Sequence, residues 1–498
     1  MRGRVLLAAL LTVAALAAVI ARSDPGASAD IQFQLGTLLA AEGRYREAAR
    51  ALKKAGRDVE PRLRLPIGSA LILALLRSGE FGDARDEAEA LVGDLPTDAQ
   101  AKALLGDAFW ASGLFDEAER AYRDALTGSP EDARSRHGMA RALAARSRLE
   151  EAMIEAQAAL RLSPQDGEFH YTVGAIYERM HRFEEAANAF SGYLNLLPNR
   201  DRSEKAAWAR AQIKFLKAFK GKQPFEIEGD GAAMLHTLPF KLVRDKVVVS
   251  GKVNGGANMD FVLDTGAEQT ILSDVVARRA GITPITYVQS AGVGEVGLRG
   301  LQIGRISQLQ FGTLRIQDVP CLIKNPPLGG LPTRETEAFS PLALGLSMVI
   351  DYEKLTLTIG RRITMTPEIE LPLRLHRLAM VRGVVNSRPA TFVIDTGGEV
   401  ISISQATAGS LQTDPAARKI PLKVYGTSGW DRDAFLMPNV DLEFASIRFN
   451  RIPVVVLNLR APSALLGFEL GGIVGHRFLS KYRVGIDLER STLALSTN

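Results

Sequence analysis

One short stretch occurs twice in this chain and restricts its fold more than any other feature. Phe261-Val262-Leu263-Asp264-Thr265-Gly266-Ala267 leads three apolar, strand-favouring residues into Asp-Thr-Gly, and Phe392-Val393-Ile394-Asp395-Thr396-Gly397-Gly398 does so again 131 residues later. Taken singly, either copy reads as a strand running into an Asp- and Gly-rich turn. Taken together, they point to two similar domains, each presenting one aspartate at a strand end. Two carboxyl groups held about 3 Å apart cannot both ionise and share one proton. One is then a base and the other an acid, the pairing that activates a water and protonates a carbonyl oxygen. Gly266 and Gly397 allow close backbone approach. The hydroxyls of Thr265 and Thr396 suit the contact between the domains better than the reaction itself.

The surrounding sequence reads as an internal duplication. After Gly229-Asp230-Gly231, Ala and Glu give way to Val, Ile, Thr and Gly in short alternating runs, the pattern of strands. Val247–Val249 and Phe261–Leu263 flank an Asn254-Gly255 turn, as Val384-Val385 and Phe392–Ile394 flank Asn386-Ser387. Leu309–Pro320 aligns on Leu442–Pro453 without a gap. Each half carries a glycine-rich hairpin, Gly292-Val293-Gly294-Glu295-Val296-Gly297 and Tyr425-Gly426-Thr427-Ser428-Gly429-Trp430. Each then shows two apolar residues and a glycine, Ala343-Leu344-Gly345 and Ile473-Val474-Gly475, followed by a closing strand pair.

This order resembles the aspartic protease family, and its retroviral-type, retropepsin-like branch more than pepsin. The resemblance implies an all-β double-lobed fold, with lobes at residues 233–364 and 369–498. It implies Asp264 and Asp395 as catalytic residues, with Thr265, Gly266, Thr396 and Gly397 in support. The hairpins become flaps over an extended peptide, with Gly292, Gly294, Tyr425, Gly426 and Gly429 on the substrate side. No metal and no cofactor is implied. Three departures stand out. Five residues separate Gly345 from Asp351, against eleven between Gly475 and Asp487, so a helix after the first glycine is expected to be cut short. Ala267 and Gly398 stand where pepsins carry Ser or Thr. That removes a hydrogen bond favouring the ionised carboxylate and predicts a pH optimum less acidic than pepsin's. Thr270 stands against Ile401, so the surroundings of the two aspartates differ. Tyr425 and Trp430 read equally as flap residues and as strand-end core aromatics, and His476 reads as structural.

Residues 30–200 are Ala-rich and helical, with a period. Pro130, Pro164 and Pro198 lie 34 apart, as do Ala118, Ala152 and Ala186. This resembles the tetratricopeptide repeat, which implies a helical solenoid whose concave face binds a peptide or partner protein. Looser units surround Gly36, Tyr45 and Ala48, then Gly79, Phe81, Ala84 and Pro96. Residues 201–222 form one more amphipathic helix, with Trp208, Ala211, Phe215 and Phe219 on one face. It reads as a solvating cap or, alternatively, as a basic membrane-surface helix. Residues 223–232 are a linker.

At the start, Met1-Arg2-Gly3-Arg4 precedes a 17-residue apolar run, Val5 to Ala21, and Ala27-Ser28-Ala29 offers small residues before Asp30. Residues 1–29 read as a secretory signal peptide or an uncleaved signal anchor. Either reading exports the rest, to a bacterial periplasm or beyond. Lys and Arg total 61 against 56 Asp and Glu, spread along the chain, which gives no nucleic-acid patch. Gly292 to Gly297 also spells a dinucleotide-binding glycine pattern, but alternating residues follow it where a helix is required. Two functional classes follow: an exported aspartic endopeptidase acting on a peptide or protein substrate, or a non-catalytic peptide-binding scaffold with protease-like lobes. Pairing of lobes within one chain or between two chains both fit the sequence.

Overall fold

A computed structural model describes residues 25–56, 60–197, 203–229, 234–294, 298–324, 337–411 and 419–497. The apolar leader run and Pro198 lie outside these residues. Ala27–Ala29 falls inside the first helix, Pro25–Ala41. No helix among the described residues is long and apolar enough to cross a membrane. The chain divides into two compact units, residues 1–138 and 139–498.

The first unit is a run of antiparallel helical hairpins. Its helices are Pro25–Ala41, Tyr45–Ala55, Pro61–Ser78, Phe81–Asp94, Ala99–Ala111 and Phe115–Gly128, with Ala133–Ala145 crossing into the second unit. Small residues set the spacing of each pair. A Cβ on Gly36 would lie 2.5 Å from Leu52, and one on Gly106 would lie 2.5 Å from Tyr122, so each glycine is the socket for a large side chain of the next helix. Ala118, Ala152 and Ala186 are fully buried at the repeat period. The period also places helix caps. Asp98, Asp132 and Asp166 lie 34 residues apart, each two positions after a helix-ending proline. Their carboxylates accept from the backbone N–H groups of Ala101 at 2.8 Å, Ser135 at 2.7 Å and Glu168 at 2.9 Å. Such caps satisfy donors that a helix start leaves open.

The second unit opens with helices Leu149–Leu162, Gly167–Arg179, Phe183–Leu196 and Glu204–Lys217 and continues into two β lobes. Helix Glu204–Lys217 does not end in solvent. Phe215, Leu216 and Phe219 are buried with Phe183 and Phe190 of the preceding hairpin and with Val288, Ile303 and Leu322 of the first lobe. Its lysines 205, 214, 217 and 220 are exposed. The apolar face is covered by protein, so none remains to lie on a membrane, and the helix joins repeat to lobe.

In the first lobe, strands Lys246–Val253 and Met259–Leu263 pair antiparallel, with Val249 opposite Phe261. In the second, Leu378–Val385 and Arg388–Ile394 pair with Val381 opposite Phe392. Each lobe adds a long hairpin, Leu298–Phe311 with Leu314–Lys324 and Phe435–Phe444 with Ile447–Leu457. Phe311 fills the space above Gly251, and Phe444 that above Gly383, where a Cβ would lie within 2.5 and 2.7 Å respectively.

The lobes are joined by one antiparallel sheet. Its six strands run in the order His236–Val243, Thr356–Gly360, Ser347–Asp351, Tyr482–Asp487, Thr492–Thr497 and Ile369–His376. The seam is Val349 opposite Gly485. The lobes therefore pair within one chain.

One landmark read from the sequence is displaced. Strand Glu337–Phe339 runs parallel to Met259–Leu263, as Gly472–Val474 runs parallel to Arg388–Ile394. The partner of Ile473-Val474-Gly475 is thus Ala338-Phe339-Ser340, and not Ala343-Leu344-Gly345. Ser340 and Gly475 are both extended, whereas Gly345 has φ 70° and ends the 3-10 turn Pro341–Leu344. In the second lobe the helix His476–Leu479 matches that turn. Counted from Ser340, ten residues precede Asp351, against eleven between Gly475 and Asp487. The helix after the first lobe's landmark is not cut short. It is a 3-10 turn of the same length in a neighbouring position, hidden because serine stands where the second lobe has glycine.

Candidate active site

Each Asp-Thr-Gly lies where two parallel strands end side by side. Asp264 donates its N–H to the Phe339 carbonyl at 2.9 Å, and Asp395 donates to Val474 at 3.0 Å. The chain turns sharply after each aspartate. The backbone N–H of Gly266 reaches back to Asp264 Oδ1 at 3.0 Å, and that of Gly398 to Asp395 Oδ1 at 2.8 Å. These turns aim both carboxyls into one cleft.

The threonines lock the two loops together. Thr265 Oγ1 donates to the Ile394 carbonyl at 2.6 Å and accepts from Thr396 N at 3.0 Å. Thr396 Oγ1 donates to the Leu263 carbonyl at 2.7 Å and accepts from Thr265 N at 3.1 Å. Both side chains are buried. Four reciprocal bonds across the lobe boundary leave the hydroxyls no lone role in chemistry. Thr265→Val or Thr396→Val leaves a buried carbonyl and a buried N–H unpaired, and each is expected to cost about 2–4 kcal/mol. Chemical denaturation of the purified variants measures this as a lowered midpoint.

Gly266 and Gly397 are required by the opposite lobe. A Cβ on Gly266 would lie 2.6 Å from Asp395 Cγ, and one on Gly397 would lie 2.6 Å from Asp264 Oδ1. Each glycine is therefore the floor on which the other lobe's carboxyl rests. Burial is the main cause raising both carboxyls above the ordinary aspartate range. For Asp264 the nearby Asp395 charge is the next cause. The two carboxyls titrate as a pair that shares one proton.

Two cations that the sequence reading passed over cross between the lobes at this level. Lys246 Nζ donates to the Gly397 carbonyl. Arg377 Nε and Nη2 reach Glu268 Oε2, both at 2.7 Å, and Nη1 donates to the Leu465 carbonyl at 3.1 Å. Lys246 and Arg377 are 131 residues apart, the offset of the motifs themselves, and that spacing was the available signal.

The glycine-rich hairpins meet tip to tip. Strand Thr286–Ala291 pairs with Leu298–Phe311, and Val424–Gly426 pairs with Gly429–Asp431. Gly292 N donates to Ser428 Oγ at 3.0 Å, and Ser428 N donates to the Val293 carbonyl at 2.9 Å. Ser428 lies in the hairpin seen in the sequence but is not among the residues expected to act there. A Cβ on Gly294 would lie 2.4 Å from the Ser428 backbone, and one on Gly426 would lie 2.2 Å from the Val293 oxygen. Glu295–Gly297 lies outside the described residues. A strand follows Gly292–Gly297, which removes the dinucleotide reading. Gly292, Tyr425 and Gly426 line a cleft of about 2090 Å³ together with Asp264 and Asp395, while Gly294 and Gly429 sit in the contact between the tips. Tyr425 is exposed into the cleft, and Trp430 packs edge-on against it at 5.1 Å. Gly426→Ala should hold the tips apart and raise KM about tenfold with a smaller change in kcat, as steady-state kinetics would show. His476 is buried, donates its backbone N–H to the Gly398 carbonyl at 2.9 Å and packs against Tyr352.

These features are matched by known sequences. The two lobes match the aspartyl protease family model. The matched residues are 249–347 and 381–470. A tetratricopeptide repeat model matches 69–133 and 104–167. Solved structures similar to the chain include a thermophilic tetratricopeptide repeat protein of Thermus thermophilus, at 19% identity over 37% of this chain and 98% of that one, with a TM-score of 0.33. MamA of Desulfovibrio magneticus is similar at 20% identity over 36% of this chain and 99% of that one, with a TM-score of 0.26. No curated protein matches the chain. The fold is a tetratricopeptide repeat region followed by aspartyl-protease-like β lobes, which supports protease-like and protein-binding roles.

Proposed function

We propose that this chain is an exported aspartic endopeptidase. The observation that carries this reading is the seating of each Asp-Thr-Gly carboxyl against the opposite lobe's glycine, in one cleft beneath two flaps. A water held between Asp264 and Asp395 loses a proton to the ionised member of the pair as its oxygen attacks the scissile carbonyl carbon. The protonated member gives its proton to the carbonyl oxygen, and a tetrahedral diol forms. The diol returns a proton to that carboxylate as the carbonyl re-forms. The proton taken from the water passes from the other carboxyl to the departing amine, the C–N bond breaks, and the starting charge state is restored. The repeats bind substrate or a partner protein, the role usual for this class. The basic and apolar leader directs the chain to the bacterial periplasm or outside it, with cleavage or with retention as an anchor.

The test is hydrolysis of an unfolded protein by the full chain from about pH 3 to 8. A bell-shaped profile is expected, with its optimum well above pH 2 because burial raises both carboxyls. A chelator should leave the rate unchanged, since no step uses a metal. Cleavage at no pH supports the scaffold reading, in which flap tips closed on each other hold a bound peptide without cutting it.

A further inference from the structure

The hairpin that begins the first lobe donates and accepts no proton in the proposed reaction, yet its tip enters the cleft. Strands His236–Val243 and Lys246–Val253 are joined by Arg244 and Asp245 alone, with φ of 51° and 58°, and Val243 pairs with Lys246. This tight turn fixes where Lys246 leaves the strand. Its half-buried side chain crosses to the second lobe and ends on the Gly397 carbonyl, two residues beyond Asp395. The matching hairpin of the second lobe sends Arg377 the other way, onto the Glu268 carboxylate. The two cations differ in what they meet. Glu268 neutralises Arg377, and Glu178 also faces that guanidinium. A carbonyl does not neutralise Lys246.

We propose that Lys246 is a positioning residue for peptide hydrolysis: its ammonium clamps the loop bearing Asp395 and supplies the positive charge that keeps one carboxylate of the pair ionised. The proposal rests on the endopeptidase reading. The titratable groups that face Lys246 are Asp264 and Asp395 in the motifs, His476 on the helix after Gly475, and Asp245 beside it in the turn. Lys246 favours the ionised form of both aspartates. Burial first and Lys246 second lower the proton affinity of His476, with Asp245 opposing. Lys246 is a cation that one lobe provides beside the aspartate loop of the other.

The experiment compares the full-length wild type with K246M, K246Q and K246R by kcat/KM on one peptide from about pH 3 to 8, beside D264N and D395N. K246M removes clamp and charge. It should lower kcat/KM about tenfold at the optimum, the order expected for a misplaced reacting group. Its acid limb should also move to higher pH, so that the loss at the acid edge exceeds the loss at the optimum by about threefold. K246Q keeps a donor without charge and should show the limb movement with a smaller loss at the optimum. It carries the same comparison if K246M does not fold. K246R restores charge and donor and should restore the wild-type limb. Profiles of K246M and K246Q that superimpose on wild type after scaling overturn the charge role while the endopeptidase reading stands. A limb that K246R fails to restore does the same. Wild type that cuts at no pH, or D264N and D395N that cut as wild type does, overturns both.

Discussion

Asp264→Asn and Asp395→Asn are each expected to reduce peptide hydrolysis by at least about a thousandfold, and the double variant should be little worse than either. An amide neither takes the proton of the attacking water nor gives one to the carbonyl oxygen. Because the carboxyls act as one unit on one water, losing either removes the whole step. The expectation is checked by rates of peptide cleavage at the wild-type optimum. Equal activity of one variant and wild type would show that the two lobes do not share a site. The same substitutions predict a change in stability whose sign follows from the raised carboxyls. The folded chain holds these protons more tightly than the unfolded chain does. The stabilisation is therefore present at low pH and lost as pH rises through the folded-state values. Asparagine suffers no such loss. The unfolding midpoint of each variant, relative to wild type, should accordingly be greater near pH 8 than near pH 4, as calorimetry at the two values would show.

Gly397→Ala and Gly266→Ala should each cost about a hundredfold in kcat while leaving the chain folded. The reason is geometric. The added methyl would stand 2.6 Å from a carboxyl atom of the opposite lobe, well inside contact distance. Backbone on either side is held by the buried threonine bonds, so the carboxyl must give way. Displacing one carboxyl lengthens the bond between the two and loosens the shared proton. Kinetics would then show a fall in kcat with a broadened pH profile, alongside an unfolding midpoint near that of wild type. A collapse of the midpoint with no separate kinetic defect would place these glycines in folding alone. Alanine is informative here because neither glycine has a left-handed φ that would add strain of its own.

The pairing of the motifs could be read from sequence because local pattern encodes it. Apolar triplets ending in Asp-Thr-Gly, and turns such as Asn254-Gly255, are short-range signals, and the 131-residue offset repeats them. The landmark after the first motif is misplaced by the sequence pattern for an equally physical reason. Gly345 owes its place to the left-handed end of a 3-10 turn, whereas the true counterpart of Gly475 is a serine. Gly475 itself tolerates no side chain, since a Cβ would meet Glu399 and Val400 backbone at 2.7 Å. The first lobe leaves room for Ser340, so the pattern broke there. Tip-to-tip contact of the hairpins and the crossings of Lys246 and Arg377 depend on how lobes dock, which no local signal encodes. The cap aspartates 98, 132 and 166 stand at the repeat period two positions after Pro96, Pro130 and Pro164, so the period marks them, while their bonds to the helix-start N–H groups follow only from the folded backbone.

Joining both halves in one chain has a consequence for what the cleft can tell apart. Two identical halves around a two-fold axis would present the same neighbours to a peptide laid either way. Here Lys246 faces a carbonyl where Arg377 faces a carboxylate, and Ser340 stands where the other half has Gly475. One covalent chain lets each half keep its own changes, since neither must also serve as its partner. The cleft therefore has a polarity, and a bound segment running from N- to C-terminus meets different surroundings from the same segment reversed.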